Sequence, residues 1–297
     1  GVDGIVIDLR QNGGGSLVEA TELTGLFIPQ GPVVQVKNST GEIEVEKDPD
    51  PAVVYGGPLA VLVDRNSASA SEIFAGAIQD YHRGIIIGEP TFGKGTVQTL
   101  VDLDRFVRDS NDKLGRLRLT MAQFFRVNGG STQFRGVVPD IVFPSASGSE
   151  EHGERGLDNA LPWARIDAAE YMPRGLGSIN QYRERHQDRI KTDAGFDYLA
   201  SEAGLLLDLR KRDTVSLLEK HRKQEWDQQE QQRKEQKNRF RAARGLPPVT
   251  ELEQEEDADS ADEEDSDEEG VDSIMLDEAA RILADYIDGQ RRAVMLQ

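Results

Sequence analysis

Residues 59–89 read LAVLVDRNSASASEIFAGAIQDYHRGIIIGE. An apolar run (LAVLVD, 59–64) leads into a segment with helical spacing (SEIFAGAIQDYH, 71–82), and a second apolar run follows (RGIIIGE, 83–89). Short β-branched runs bounded by turn residues predict strands, whereas apolar residues recurring every three to four positions predict a helix. The same alternation extends outward, to GIVIDLR (4–10), SLVEATELTGLFI (16–28) and PVVQVK (32–37) on one side and to TVQTLVDL (96–103) and LRLTMAQFFRV (117–127) on the other. Strands alternating with helices predict an α/β core. The Asn128-Gly129-Gly130 triplet marks a turn, and the prolines of GVVPDIVFP (136–144) restrict that segment to a sheet edge or to the exit from the core.

Beyond the core, 145–157 reads as a linker, 158–250 as a helical C-terminal domain, 251–271 as an acidic, disordered segment and 272–297 as a terminal amphipathic helix. From about Phe196 to Arg244 the pattern is that of one long solvated helix, which Gly245 with Pro247 and Pro248 terminates. The chain has 297 residues and a net charge of −19, but residues 251–269 hold 13 Asp or Glu and no Lys or Arg, leaving only −6 for the rest. That balance argues against nucleic-acid binding, which requires a basic footprint. With no cysteine there is no disulfide framework, thiol nucleophile or Cys-ligated metal. No apolar run approaches the roughly 18–20 residues of a membrane span. The opening GVDGIVIDLR enters directly into a strand pattern, so no signal peptide is expected within the chain.

Three segments can carry chemistry. Ser69 and Glu72, at the start of the second helix, fit a Ser-x-x-Glu capping box, which is a structural reading. A serine at a strand-to-helix turn is also placed to act as a nucleophile, because the helix N-terminus offers backbone donors and a favourable dipole. Of the four histidines, His152, His186 and His221 lie in the extension, and His82 lies roughly 20 Å from Ser69 along the helix. A Ser-His-Asp triad is therefore disfavoured, leaving a lysine held neutral by burial as the base. Lys94, between glycines in GEPTFGKGTVQ (88–98), is the candidate, with Gln98 four residues on as a possible orienting group or a plain strand residue. The same stretch matches part of a phosphate-binding loop, but Gly95 stands where Ser or Thr is needed and a strand pattern follows in place of a helix. The third segment, DLRQNGGGS (8–16), suits an oxyanion or anion site, or a flexible turn, and fits the dinucleotide fingerprint poorly.

In this order and spacing, DLRQNGGG, VDRNSASASEIFAGAIQD and GEPTFGKGTVQ resemble the carboxy-terminal processing, or tail-specific, proteases. NGGSTQFRGVVPDIVFP (128–144) is similar to the end of that family's core, and DNALPW (158–163) with the helical extension resembles the larger periplasmic members of Gram-negative bacteria. The resemblance implies a mixed sheet with flanking helices over 1–144, followed by an α-helical extension. It implies Ser69 as nucleophile, Lys94 as general base and Gln98 as orienting residue, with the backbone amides of Ala70 and Gly15 as the oxyanion hole and Asp80 in a supporting role. No metal or cofactor is implied. The partners implied are protein substrates with nonpolar C-termini captured by a PDZ domain, with an adaptor or self-association possible, in the periplasm or at the periphery of its inner membrane. No PDZ-like segment precedes Gly1, so the chain is expected to be the C-terminal portion of a longer enzyme. The competing expectation is a catalytically incompetent fragment serving as a protein-binding scaffold.

Overall fold

The computed structural model describes residues 1–106, 113–144, 153–175, 177–212, 214–249 and 268–295. They form two compact units, one of residues 1–142 and 150–177 and the other of residues 143–149 and 178–297.

The first unit is built around the helix Ala70–Asp80 (α2). Ten of its eleven residues are buried, because it carries apolar side chains on all sides. One side, through Phe74, Ala75 and Ile78, packs on strands Ile5–Asp8 (β1), Leu59–Val63 (β4) and Ile85–Gly88 (β5). These form a parallel sheet in the order β1-β4-β5-β8, where β8 is the two-residue edge strand Ile141–Val142. β4 and β5 are buried throughout, as expected for unbroken aliphatic runs in a covered parallel sheet. The other side of α2, through Ala70, Ile73 and Ala77, meets helix Leu17–Gly25 (α1) and an antiparallel sheet. That sheet runs β3-β2-β7-β6, from strands Gly31–Asn38 (β2), Ile43–Asp48 (β3), Thr96–Asp102 (β6) and Arg116–Phe125 (β7). The expected mixture of strand senses is thus divided between two sheets with α2 between them. β3 was not evident in the sequence because IEVEKD carries four charges in six residues; it forms at an edge, held by pairing to β2.

Two expected boundaries differ. Residues 158–175 stay with the first unit and are not helical. Ser131 N–H donates to Ala164 O (3.1 Å), Ile166 N–H to Gly129 O (2.9 Å) and Ala169 N–H to Val127 O (2.9 Å), so this segment lines up beside the turn after β7. The helices of the second unit begin at Asn180–Ile190 (α3). The single long helix expected from about Phe196 is two, Ala194–Arg210 (α4) and Glu219–Ala243 (α5). The break contains the β-branched pair Thr214-Val215 and Ser216, whose hydroxyl accepts the Leu218 N–H at 3.2 Å, a local bond that competes with helix continuation. Gly245 ends α5 at φ 72°, and the bonds Gly245 N–H to Ala242 O and Leu246 N–H to Arg241 O complete a Schellman cap. The last helix runs Glu268–Met295 (α6), four residues longer at its start than expected. The disorder expected for 251–267 lies outside the described residues. α3 and α6 join through a buried cluster in which His186 Nδ1 and Arg189 both bond Glu278 and Tyr182 meets Tyr286 edge-on.

Candidate active site

Three loops converge at the N-terminus of α2. The first follows β4. Its serines divide their work: Ser67 Oγ donates to Leu9 O (2.7 Å) and accepts from Asp64 N–H (2.9 Å), and Ser71 Oγ lies 3.0 Å from Asn12 O and 2.9 Å from Asn12 Oδ1. Both hydroxyls fasten this loop to the one after β1. Ser69, between them and half-buried, sits at φ 57° and ψ −113°. A non-glycine residue there costs about 1–3 kcal/mol and persists only where its surroundings impose it. Such strain is characteristic of nucleophiles presented on strand-to-helix turns.

The second loop, DLRQNGGG, is pinned by Gln11, which donates to Asp64 through its backbone N–H (3.1 Å) and its side chain (2.8 Å), and by the Ala68 N–H to Asn12 O bond (3.0 Å). Gly14, at φ 93°, lies so close that a Cβ on it would stand 2.5 Å from Ala68 O and 2.7 Å from Ala70 N, so only glycine fits. Its N–H is used by Asn12 Oδ1 at 2.9 Å. The N–H groups of Gly15 and Ala70 find no acceptor among the described residues. The glycine turn and the start of α2 therefore present unused donors beside Ser69, the arrangement an oxyanion requires.

The third loop carries Lys94, and Glu72 holds it to the first. Fully buried, Glu72 accepts through Oε2 from the N–H of Ser69 (2.8 Å) and of Lys94 (3.0 Å), and through Oε1 from Gly93 N–H (2.8 Å) and Thr91 Oγ1 (2.6 Å). Because one oxygen touches both, the backbone nitrogens of Ser69 and Lys94 are under about 6 Å apart, the two bonds laid end to end. Burial pushes the Glu72 carboxyl up to about 7, against the opposing pull of hydrogen bonds from Thr91, Gly93, Ser69 and Lys94. From the other side, Thr132 Oγ1 donates to Lys94 O (3.1 Å), Gln133 Oε1 accepts from Gly95 N–H (2.8 Å) and Phe134 N–H donates to Gly93 O (2.7 Å).

Ser69, Ala70 and Lys94 are thus brought together, with Lys94 half-buried. Gly15 lies in the adjoining turn. Gln98 is exposed in β6, past a register shift, opposite Thr120, and its side chain makes no hydrogen bond among the described residues. Lys94 precedes that strand, so the shared face expected from even spacing does not arise. Asp80, at the far end of α2, binds Arg126 through both carboxylate oxygens (2.6 and 3.0 Å) and Asn128 (2.7 Å), a framework contact. A strand follows Lys94, so this loop has no helix N-terminus of the kind a phosphate-binding loop uses. Local pattern marks Glu72 as a cap alone, and Thr91, Asn12 and Gln133 carry no local signal because the partners that matter here are distant in sequence.

Replacing Ser69 with Gly should relieve the φ 57° strain at little loss of capping, and a melting temperature higher by about 2–4 °C is expected. A calorimetric scan beside Ser69→Ala, which keeps the Cβ and the strain, checks this; equal melting temperatures would mean that the position is unstrained.

Residues 1–143 match Peptidase family S41, and residues 148–288 match the C-terminal domain of tail specific protease (DUF3340). The chain thus joins a peptidase family S41 segment to the C-terminal domain of tail specific protease. It is 42% identical over 293 residues to the Tail-specific protease of Haemophilus influenzae, covering 96% of this chain but 40% of that protein. The Carboxy-terminal-processing protease of Bartonella bacilliformis is 39% identical over 67% of this chain and 44% of its own length. A solved photosystem II D1 C-terminal processing protease aligns at 36% identity over 48% of this chain and 35% of its own, with a TM-score of 0.42. The chain therefore spans less than half of the curated relatives it matches. Among the described residues no helix is long and apolar enough to cross a membrane.

Proposed function

We propose that the chain carries the catalytic centre of a serine-type endopeptidase working through an acyl-enzyme. The observation that carries this reading is the Glu72 carboxylate, which ties the Ser69 and Lys94 backbones to a single oxygen. In the mechanism, the unprotonated Lys94 amine takes the Ser69 hydroxyl proton as Oγ attacks the peptide carbonyl. The N–H groups of Ala70 and Gly15 stabilise the oxyanion, Lys94 returns the proton to the leaving amine, and water releases the acyl group by the reverse sequence. Gln98 is assigned as the orienting residue for the Lys94 amine, and Asp80 supports the site from a distance through Arg126. Substrates are proteins with accessible apolar C-termini, the setting is the periplasm, and an adaptor delivers some of them. The relatives named as tail-specific and C-terminal processing proteases support the substrate class.

The test is degradation of an unfolded reporter ending in apolar residues against one ending in charged residues, by the chain and its Ser69→Ala variant. Selective, Ser69-dependent loss of the apolar-tailed reporter is expected. Cleavage that persists in Ser69→Ala would remove the acyl-enzyme mechanism, and no cleavage in any arm would favour the scaffold reading.

A further inference from the structure

At the other end of α2 the first unit has a groove of about 320 Å³, lined in part by Arg126, Asn128, Arg135, Val138, Trp163 and Arg165. Arg126 is neutralised by Asp80. Arg135 and Arg165 have no carboxylate partner among the described residues, so the lining carries two uncompensated positive charges in a protein of net charge −19. Both are exposed, and each has a contact that directs it. The indole N–H of Trp163 donates to Ser131 O at 2.9 Å, which fixes the ring, and the Arg135 guanidinium lies 3.9 Å from the ring centroid. Stacked there, it is held by cation–π attraction with its edge N–H groups free. Arg165 is held at the same groove by the Gly130–Arg165 bridge, and its guanidinium donates to Asn128 O at 3.5 Å. Val138, 55% exposed, adds an apolar patch.

One guanidinium held on an aromatic shelf and a second lining the same groove form a donor set for oxyanions, and their planar forks match carboxylates in bidentate fashion. We propose that this groove is an exosite for acidic side chains of a polypeptide substrate. The choice of a peptide over inorganic phosphate rests on the endopeptidase reading above. The lining runs from Gln79, about 15 Å along α2 from Ser69 at 1.5 Å per residue, to Ser131, Arg135 and Gly136, whose backbone and side-chain atoms pack against Gly93 and Gly95 beside Lys94, so an extended peptide of at most about five residues bridges groove and site. Acidic residues within about five positions of the scissile bond are the ones the groove holds.

The experiment titrates a labelled, amidated peptide with three consecutive Glu, and the same peptide with Gln, into the chain and follows fluorescence polarisation. The parent is expected to bind the Glu peptide at least tenfold more tightly, with the preference shrinking as salt screens it. Arg135→Ala with Arg165→Ala should erase that preference, whereas Arg135→Lys with Arg165→Lys should keep only part of it, since the charge remains and the fork is lost. Equal binding of the two peptides by the parent, or a preference that survives the double Ala variant with an unchanged melting curve, overturns the proposal. Displacement of the Glu peptide by inorganic phosphate alone at submillimolar concentration reassigns the groove to phosphate and overturns it as well. Cleavage of an acid-free reporter is measured in parallel, where both double variants should match the parent. Charge-selective binding without any cleavage would sink the endopeptidase reading alone, and normal cleavage with charge-blind binding would sink the exosite alone.

Discussion

Glu72→Ala is expected to cost about 4 kcal/mol of stability and to abolish turnover. Four donors converge on this buried carboxylate, namely three backbone N–H groups and the Thr91 hydroxyl. Truncation strands all four where water does not readily reach, and each unsatisfied buried group costs about 1–3 kcal/mol, partly offset by relaxation. Activity falls for a separate reason. With the carboxylate gone, the direct tie between Ser69 and Lys94 is lost, and the two loops keep only contacts away from that pair, such as Phe92 N–H to Ser67 O at 3.0 Å. Glu72→Gln is a finer probe, because its amide keeps one acceptor oxygen and turns an NH₂ toward two of the four donors: toward Gly93 and Thr91 the Ser69–Lys94 tie survives, toward Ser69 and Lys94 it breaks. Its pH dependence also has a defined sign. The native carboxyl titrates near 7 and the unfolded one near 4.5. Below pH 4.5 both states hold the proton and the parent pays nothing for charging this group. Between 4.5 and 7 the unfolded chain loses its proton while the native state keeps it, so stability falls as pH rises, by about 3 kcal/mol in all. Glu72→Gln lacks this dependence. In denaturant melts from pH 4 to 8 the stability of the parent relative to Glu72→Gln should therefore fall by about 3 kcal/mol as pH rises, and parallel stability curves would show that Glu72 is not the titrating group.

For Lys94→Ala, kcat is expected to fall about 10⁴-fold or more with the melting temperature nearly unchanged. Removing the base from a nucleophile–base pair costs about as much as removing the nucleophile, because the two act as one unit. The fold is spared because its contacts in this loop run through the Lys94 backbone, whose N–H and carbonyl bond Glu72 and Thr132 whatever side chain is present. Lys94→Arg should be equally inactive, since a guanidinium is not deprotonated in proteins and cannot accept the Ser69 proton. The Ser69→Ala, Lys94→Ala double variant should be no slower than either single variant. Single-turnover kinetics would decide the matter, and substantial activity in Lys94→Arg would remove the lysine from the proton path.

Much of this site can be read directly in the sequence. The turn before α2, the glycine-flanked Lys94 and the triple glycine after β1 each announce themselves by local chemistry, and together they carry the family resemblance. Glu72 was legible only as a helix cap, because its bond to Ser69 spans three residues. Its bonds to Thr91, Gly93 and Lys94 span 19 to 22 and leave no trace in local pattern. Asn12 reaches Ser71 across 59 residues for the same reason. Among the helices, composition indicated that the region is helical and that Gly245 ends α5, but not the break after Arg210.

Element types, the α/β alternation and the three chemical loops follow from short-range rules of propensity, periodicity and turn chemistry, which act within a few residues and are written in order along the chain. Which loops meet, which carboxylate joins them, which strands pair in which of two sheets, and why residues 158–175 stay with the peptidase unit were decided by tertiary packing. The physical reason is that α2 is apolar on every side. It becomes stable only between two sheets, and burying it there carries the Ser69 turn, the glycine turn and the Lys94 loop to one end, where a single buried carboxylate satisfies the donors that this convergence removes from water.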